Sequence, residues 1–139
     1  MFEKPLANEA NRRAFGKARR NLNKFAAKIN KSGMLGMHEV AKRIIKTARK
    51  NAPVDTGALR RSGRVRKLKS GSRITFGGAS APRYVGYAGF VEEGTFSRAP
   101  TYFLRRAMQA HKKEIPKQVV KSVGGTWMIY AKLGSTRRL

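Results

Sequence analysis

The chain of 139 residues contains no cysteine, only two histidines and only seven acidic residues. Without cysteine there are no disulfides and no thiol chemistry, and the redox compartment stays undetermined. The two histidines lack a His-x-x-x-His spacing, so a zinc site has almost no support. No run of about 18 apolar residues is present, so we expect no transmembrane helix and no membrane partner. No apolar segment follows the charges near the N-terminus, so we also expect no secretory signal.

The scarcity of carboxylates argues against an enzyme. Asp55, Glu92 and Glu93 lie outside the predicted helices, but the adjacent Glu92 and Glu93 would point to opposite faces of an extended segment. They therefore do not form a convergent acid–base pair. Glycine motifs that bind nucleotide phosphates are also missing. We expect a non-enzymatic protein with no catalytic residue, no cofactor and no metal ligand.

Positive charge is what the chain has in excess. Lysine and arginine number 32, and the formal net charge is +25. Too few glutamates are present to neutralise the helix faces by pairing, and the excess attracts polyanions, so we expect an anionic partner. No known nucleic-acid-binding motif is recognisable, and DNA contact would run through the phosphates without regard to sequence. The candidate contacts to DNA or an acidic partner are Arg12, Arg13, Arg19, Arg20, Arg64, Arg66, Lys67, Lys69, Arg137 and Arg138.

The length fits a single domain, residues 1–139, with one core. Apolar residues spaced three and four apart predict helices over 8–30 and 36–51, separated by a break at Ser32-Gly33. The first of them makes residues 1–33 an N-terminal helix or arm. Pro53 is expected to end the second helix.

The period then changes, which predicts strands. Alternation over Arg73–Phe76 and a turn at Lys69–Ser72 indicate a β-hairpin. The aromatic segment Tyr84–Val91 could be a strand or an extended segment.

A third helix is expected to start near Pro100 or Thr101 and to end or kink at Pro116. Gly124-Gly125 should break the chain, so that residues 124–139 form a C-terminal strand, over Thr126–Ala131, and a basic tail. The predicted class is α+β, a small antiparallel sheet packed with two to three helices, with a long N-terminal helix and a protruding hairpin. His111 is predicted to pack on the apolar side of the third helix, and His38 to be exposed.

A compact turn connects the second helix to the first strand. Asp55 can accept a hydrogen bond from the Gly57 N–H in an Asx-turn, and Gly57 permits a positive φ. Leu59 is then expected to enter the core as the strand begins. The structural turn residues are Pro53, Asp55, Thr56, Gly57 and Leu59.

Three stretches of the chain match the motifs of one known family. The first, Ala52 to Ser62, is similar to A-P-x-D-T-G-x-L-R-x-S, and the second, Tyr87 to Thr95, to Y-A-x-x-V-E-x-G-T. The third, Phe103 to Ala107, is similar to P-F-L-R-P-A, although Tyr102 and Arg106 stand where that pattern has prolines. Together they resemble the phage HK97 gp10-like family of head–tail joining proteins, also called neck or tail-completion proteins.

The resemblance implies a structural virion protein, made in the host bacterial cytoplasm and located at the head–tail junction. It implies a homo-oligomeric ring of six or twelve copies around the DNA channel, which contacts portal or adaptor proteins and tail proteins. Candidate interface residues are Phe90, Val91, Glu92, Glu93, Gly94, Thr95, Phe103, Leu104 and Arg105. The alternative is a free basic nucleic-acid-binding protein of the ribosomal or nucleoid type.

Overall fold

A single helix of 45 residues organises the fold. The structure, a computed structural model, describes residues 7–78 and 85–135. None of the helices in these two ranges is both long enough and apolar enough to cross a membrane. The elements in chain order are α1 (Ala7–Asn51), α2 (Ala58–Ser62), β1 (Arg64–Leu68), β2 (Gly71–Thr75), α3 (Ala88–Glu93), α4 (Phe103–His111) and α5 (Glu114–Ser135).

Helix α1 is continuous through Ser32-Gly33, so the predicted break there is wrong. The small residues in this part of α1 allow close packing with α5 instead of turning the chain. A Cβ atom added at Gly36 would lie 2.6 Å from Ser122 Oγ and 3.0 Å from the Gln118 carbonyl oxygen. The hydroxyls of Ser32 and Thr126 are hydrogen-bonded to each other. Glycine inside a helical pattern here marks helix–helix contact.

The core lies against the C-terminal half of α1, where the predicted apolar stripe is buried as expected. Helices α2, α3 and α4 pack around that stripe, and the Phe76 and Phe103 rings meet edge to face at 5.0 Å. Burying a large apolar side chain of this kind contributes about 1.5–3 kcal/mol to the stability of the fold. The buried cluster consists of Val40, Ile44, Ala48, Ala52, Leu59, Val85, Val91, Phe103 and Ala107.

The predicted hairpin is confirmed, and with it the α+β class. Strands β1 and β2 pair antiparallel, with Val65 opposite Ile74. The hairpin extends along α1 beyond the buried core, where Leu68 and Gly71 meet Met34 and Leu35 across a small cavity.

His38 lies beneath the hairpin, with Nδ1 3.2 Å from Ser72 Oγ. It is buried, so the prediction that it is exposed was wrong. Lys67, on β1, lies close enough to His38 to influence its charge.

The segment that was predicted to be extended contains a helix. Tyr84 lies outside the described residues, and α3 spans Ala88–Glu93. Ala88 is half-buried and Val91 buried, a spacing of three that fits a helix with one side on the core.

The C-terminal region is helical where a strand was predicted. The third helix is confirmed as α4, but it ends at His111, and Pro116 lies in the first turn of α5, where its missing N–H is tolerated. Gly124-Gly125 and Thr126–Ala131 belong to α5. The Trp127 ring packs 5.6 Å from the Phe25 ring on α1, so tertiary contact overrides the β-propensity of this segment.

Candidate functional site

Two of the three motifs, far apart in the sequence, form the walls of one groove of about 380 Å³. One wall is the turn between α1 and α2, and the other is α3 with the turn that follows it. We call this surface the motif groove. Its lining residues are Pro53, Val54, Asp55, Gly57, Leu59, Tyr87, Phe90, Val91, Thr95 and Arg98.

The first wall is a turn whose shape depends on Gly57, with φ at 73° as expected. The expected Asx-turn is absent. No hydrogen bond reaches the Asp55 carboxylate from any described residue, and Thr56 Oγ1 instead accepts the Ala58 N–H at 3.4 Å. Leu59 is buried as predicted, but it enters the core from α2 and not from a strand. Asp55 is therefore an exposed carboxylate at the edge of the groove.

Arg60 and Ser62 hold this wall in position, which the sequence analysis missed. Arg60 donates from Nε to the Ala52 carbonyl at 3.0 Å and from Nη2 to the Lys50 carbonyl at 3.1 Å. It thereby satisfies carbonyls at the end of α1 that have no partner within the helix. The buried Ser62 hydroxyl donates to the Leu59 carbonyl and accepts the Gly77 N–H. The R-x-S spacing in the motif is the signal that could have suggested both contacts.

The second wall presents aromatic side chains to solvent. Phe90 is 63% exposed on α3, whereas its neighbour Val91 is buried beneath it. Thr95 and Arg98 pair through two backbone hydrogen bonds and close a tight turn. Phe96, inside that turn, is fully exposed. Phe96 and Phe90 are thus two large apolar side chains exposed on α3 and the turn that follows it.

Gly94 connects α3 to that turn and has no room for a side chain. Its φ is 83°, and an added Cβ would lie 2.8 Å from the Pro100 nitrogen and 2.9 Å from the Arg98 carbonyl oxygen. Only glycine fits this position without displacing the chain.

Glu92 fixes the start of α4. Its Oε2 accepts the Leu104 N–H at 3.0 Å, and its Oε1 accepts the Arg105 N–H at 2.9 Å. The carboxylate thereby caps the N-terminus of α4, where free N–H groups and the helix dipole favour a negative charge.

Tyr102 precedes α4 with a backbone that proline cannot adopt. Its φ is 48°, and its N–H donates to the Glu92 carbonyl at 3.1 Å. Proline fixes φ near −65° and has no N–H. Where the P-F-L-R-P-A pattern has its first proline, this chain therefore has a backbone conformation that proline cannot adopt. The Arg105 guanidinium lies 4.7 Å from the Tyr102 ring centroid.

Comparison with protein families gives a match over residues 16–94, more than half of the chain, to the family described as a bacteriophage HK97-gp10-like tail component. The chain belongs to the HK97-gp10-like family. The matched range begins within α1 and ends at Gly94, so it contains the first wall of the motif groove and α3, but not Thr95 and Arg98 in the turn that follows α3. The third predicted motif lies beyond it. Searches of curated proteins and of solved structures found no match.

The predicted interface residues of this family member divide into three groups. Val91 and Phe103 are buried in the core and Leu104 packs against it, so their side chains stabilise the fold. Glu92 and Gly94 are occupied by the contacts described above. Phe90, Glu93, Thr95 and Arg105 are exposed and accessible to a neighbour.

The predicted basic contacts form two separate surfaces. Arg12, Arg13, Arg19 and Arg20 are exposed on the N-terminal part of α1, where Arg13 forms an ion pair with Glu9. The hairpin carries the second set, of which Arg64 is half-buried and Arg66, Lys67 and Lys69 are exposed. Arg137 and Arg138 lie outside the described residues.

A second apolar surface lies at the far end of α1 from the motif groove. Phe15 and Leu22 are exposed there. On α5, the end that contacts Phe25 also exposes large apolar side chains. We call this set the distal apolar surface: Phe15 and Leu22 lie seven residues apart on one side of α1, and the consecutive residues Trp127, Met128 and Ile129 point in different directions around α5.

Histidines contribute to packing between elements. His111 is half-buried, with Nε2 2.8 Å from Thr47 Oγ1 and Nδ1 3.0 Å from Glu114 Oε1. The contact with His111, and then the Arg43 guanidinium, lower the pKa of Glu114. Residues 9–78 and 85–129 contain no group of three or more side chains that could hold a metal ion.

Proposed function

We propose that this tail component joins the phage head to the tail as an oligomeric ring around the DNA channel. The motif groove carries the proposal, because its walls carry two of the family motifs, Tyr87 and Phe90 are exposed in its lining, and Phe96 is exposed in the turn that follows α3. Exposed aromatic residues around a concave surface are typical of protein interfaces. The role is adhesive, and no chemical reaction is part of it.

Two separated apolar surfaces support a ring rather than a dimer. The motif groove adjoins the C-terminal end of α1, and the distal apolar surface lies near its N-terminal end. Phe15 and Asn51 are about 54 Å apart along the helix axis at 1.5 Å per residue. A closed ring uses two different surfaces on each subunit, whereas a two-fold dimer needs only one.

Charge limits which neighbours such a ring accepts. Copies with a net charge of +25 repel one another unless counter-charges lie close by. Acidic surfaces on the portal or adaptor and tail proteins, or DNA in the channel, would supply those counter-charges.

The ring is tested by native mass spectrometry of the full chain, alone and with the portal-side adaptor. We expect six or twelve copies. A variant with Phe90→Ser and Phe96→Ser should remain monomeric with an unchanged circular dichroism spectrum. The matched control is Met108→Ser, which removes an exposed apolar side chain from α4 and should still assemble. Monomers only, with every neck partner present, would contradict the proposal.

The location is tested in purified virions by cross-linking and by electron microscopy with a specific antibody. We expect a fixed copy number at the head–tail junction. The alternative of a free nucleic-acid-binding protein is favoured by the net charge alone, and it predicts absence from purified virions. Labelling along the tail tube, or no labelling, would reject the joining role.

A further inference from the structure

Five cationic side chains line one open depression between the C-terminal end of α1 and α2. Lys46, Arg49 and Lys50 project from one turn of α1, and Arg60 and Arg61 from α2. The depression has a volume of about 530 Å³. We call it the basic cradle. It shares no residue with the ten basic contacts predicted from the sequence.

The three arginines of the cradle are held in place by the backbone. Arg49 Nη2 donates to the Gly63 carbonyl at 2.7 Å, and Arg61 Nη2 to the Thr56 carbonyl at 2.9 Å. Arg60 donates one hydrogen bond to the Lys50 carbonyl and one to the Ala52 carbonyl. A guanidinium has five N–H donors, so each of them keeps at least three for another acceptor. Their positions are therefore preorganised at little further entropic cost.

The charge of the cradle has no internal counter-charge. Across residues 9–78 and 85–129, every salt bridge involves other cations. Five like charges in one depression repel one another, and an anion placed among them relieves that repulsion.

The lining identifies the chemical class of the anion. An acidic protein segment normally buries apolar side chains at the centre of its interface, and every lining residue here is lysine or arginine. A phosphate backbone needs only N–H donors on an open surface, and arginine binds phosphate oxygens with two parallel hydrogen bonds.

We propose that the basic cradle binds the phosphate backbone of duplex DNA without regard to base sequence. The contact belongs to the single chain and does not depend on ring formation. Loss of assembly and loss of DNA binding can therefore be measured separately.

The test is fluorescence anisotropy of two labelled duplexes of unrelated sequence, titrated with the full chain at several salt concentrations. The variant Lys46→Gln with Lys50→Gln removes two charges and leaves the three arginines, which are hydrogen-bonded to carbonyl oxygens of the protein itself. The matched control, Lys17→Gln with Lys24→Gln, removes two exposed charges from the N-terminal part of α1. Circular dichroism and thermal unfolding check that both variants fold.

We expect wild type to bind both duplexes equally. The cradle variant should lose about 10-fold or more in affinity at moderate salt, and its salt slope should fall by about 1.8, at 0.9 per phosphate contact. The control should change affinity less than about 3-fold.

Three results would overturn the proposal. Wild type might not bind either duplex, or both variants might lose affinity equally, which would indicate diffuse attraction. Polyglutamate or inorganic phosphate, at equal ionic strength, might displace the duplex as efficiently as unlabelled DNA, which would assign the cradle to an acidic protein or a free anion.

Discussion

Glycine residues in the helices of this chain have two different roles. Gly36 lies where α5 approaches most closely, while Gly124 and Gly125 have no atom within 4 Å of an added Cβ. The first is needed for helix packing, and the other two only weaken helix α5. Substitution by alanine is therefore expected to have opposite effects on stability at Gly36 and at Gly124.

Gly36→Ala is expected to lower the free energy of unfolding by about 1–3 kcal/mol, because the added methyl group forces α1 and α5 apart. Gly124→Ala is expected to raise it by about 0.5–1 kcal/mol through helix propensity alone. Urea titration followed by circular dichroism measures both. Equal effects of the two substitutions would contradict the packing role of Gly36.

Glu92 and Glu93 are adjacent carboxylates with unequal roles. Glu92→Ala should lower the free energy of unfolding by about 1–2 kcal/mol, since two N–H groups at the start of α4 lose their acceptor. Glu93→Ala is the control, because that side chain is exposed and has no hydrogen bond within the described part of the chain. A similar loss in both variants would show that net charge, and not capping, causes the effect.

At the scale of elements, His38 connects the hairpin to α1 and makes their packing sensitive to pH. Burial lowers its pKa from 6.5, the nearby Lys67 and Lys42 lower it further, and Glu39 opposes them weakly. The unfolded chain therefore takes up a proton more readily than the folded chain does. The stability that results is present above about pH 6.5 and is lost as the pH falls below it.

The thermal midpoint of unfolding should therefore decrease as the pH is lowered from about 7.5 to about 5.5, the range in which histidine titrates. His38→Gln should flatten this part of the profile. Differential scanning calorimetry over this range checks the result. An unchanged slope in the His38 variant would assign the pH dependence to other groups.

Some elements follow from local residue spacing and others depend on tertiary packing. The stripe from Val40 to Ala48 predicted the C-terminal part of α1 because its period is a local property of the chain. Glycine at 33 or at 124 carries the same local signal whether it turns the chain or lies in a helix. The segment from Thr126 resembles a strand, and only the packing of Trp127 on Phe25 decides otherwise.

The sequence named several lining residues of the motif groove, but it did not predict that they form one surface. Each motif was visible in the sequence, yet the groove exists only because α2 and α3 pack on the same end of α1. The capping role of Glu92 similarly depends on α4 beginning beside it. Contacts of this kind arise from tertiary packing and have no signature in residue spacing.

At the scale of the whole molecule, a net charge of +25 lowers the stability of an isolated chain. Salt screens such repulsion, with a Debye length of about 10 Å at 0.1 M. We expect the thermal midpoint to rise between about 20 mM and 300 mM sodium chloride. A midpoint that stays constant or falls would show that the positive charges are too far apart to destabilise the fold.

Helix α1 acts as a spacer of fixed length between the motif groove and the distal apolar surface. Its 45 residues span about 67 Å, and the helix is continuous from Ala7 to Asn51. Removing seven residues takes out about two turns, so Phe15 and Leu22 would move by about 10 Å relative to the motif groove and still face nearly the same direction. In the proposed ring, the number of residues in this one helix would therefore set the distance between the two surfaces that contact neighbouring subunits.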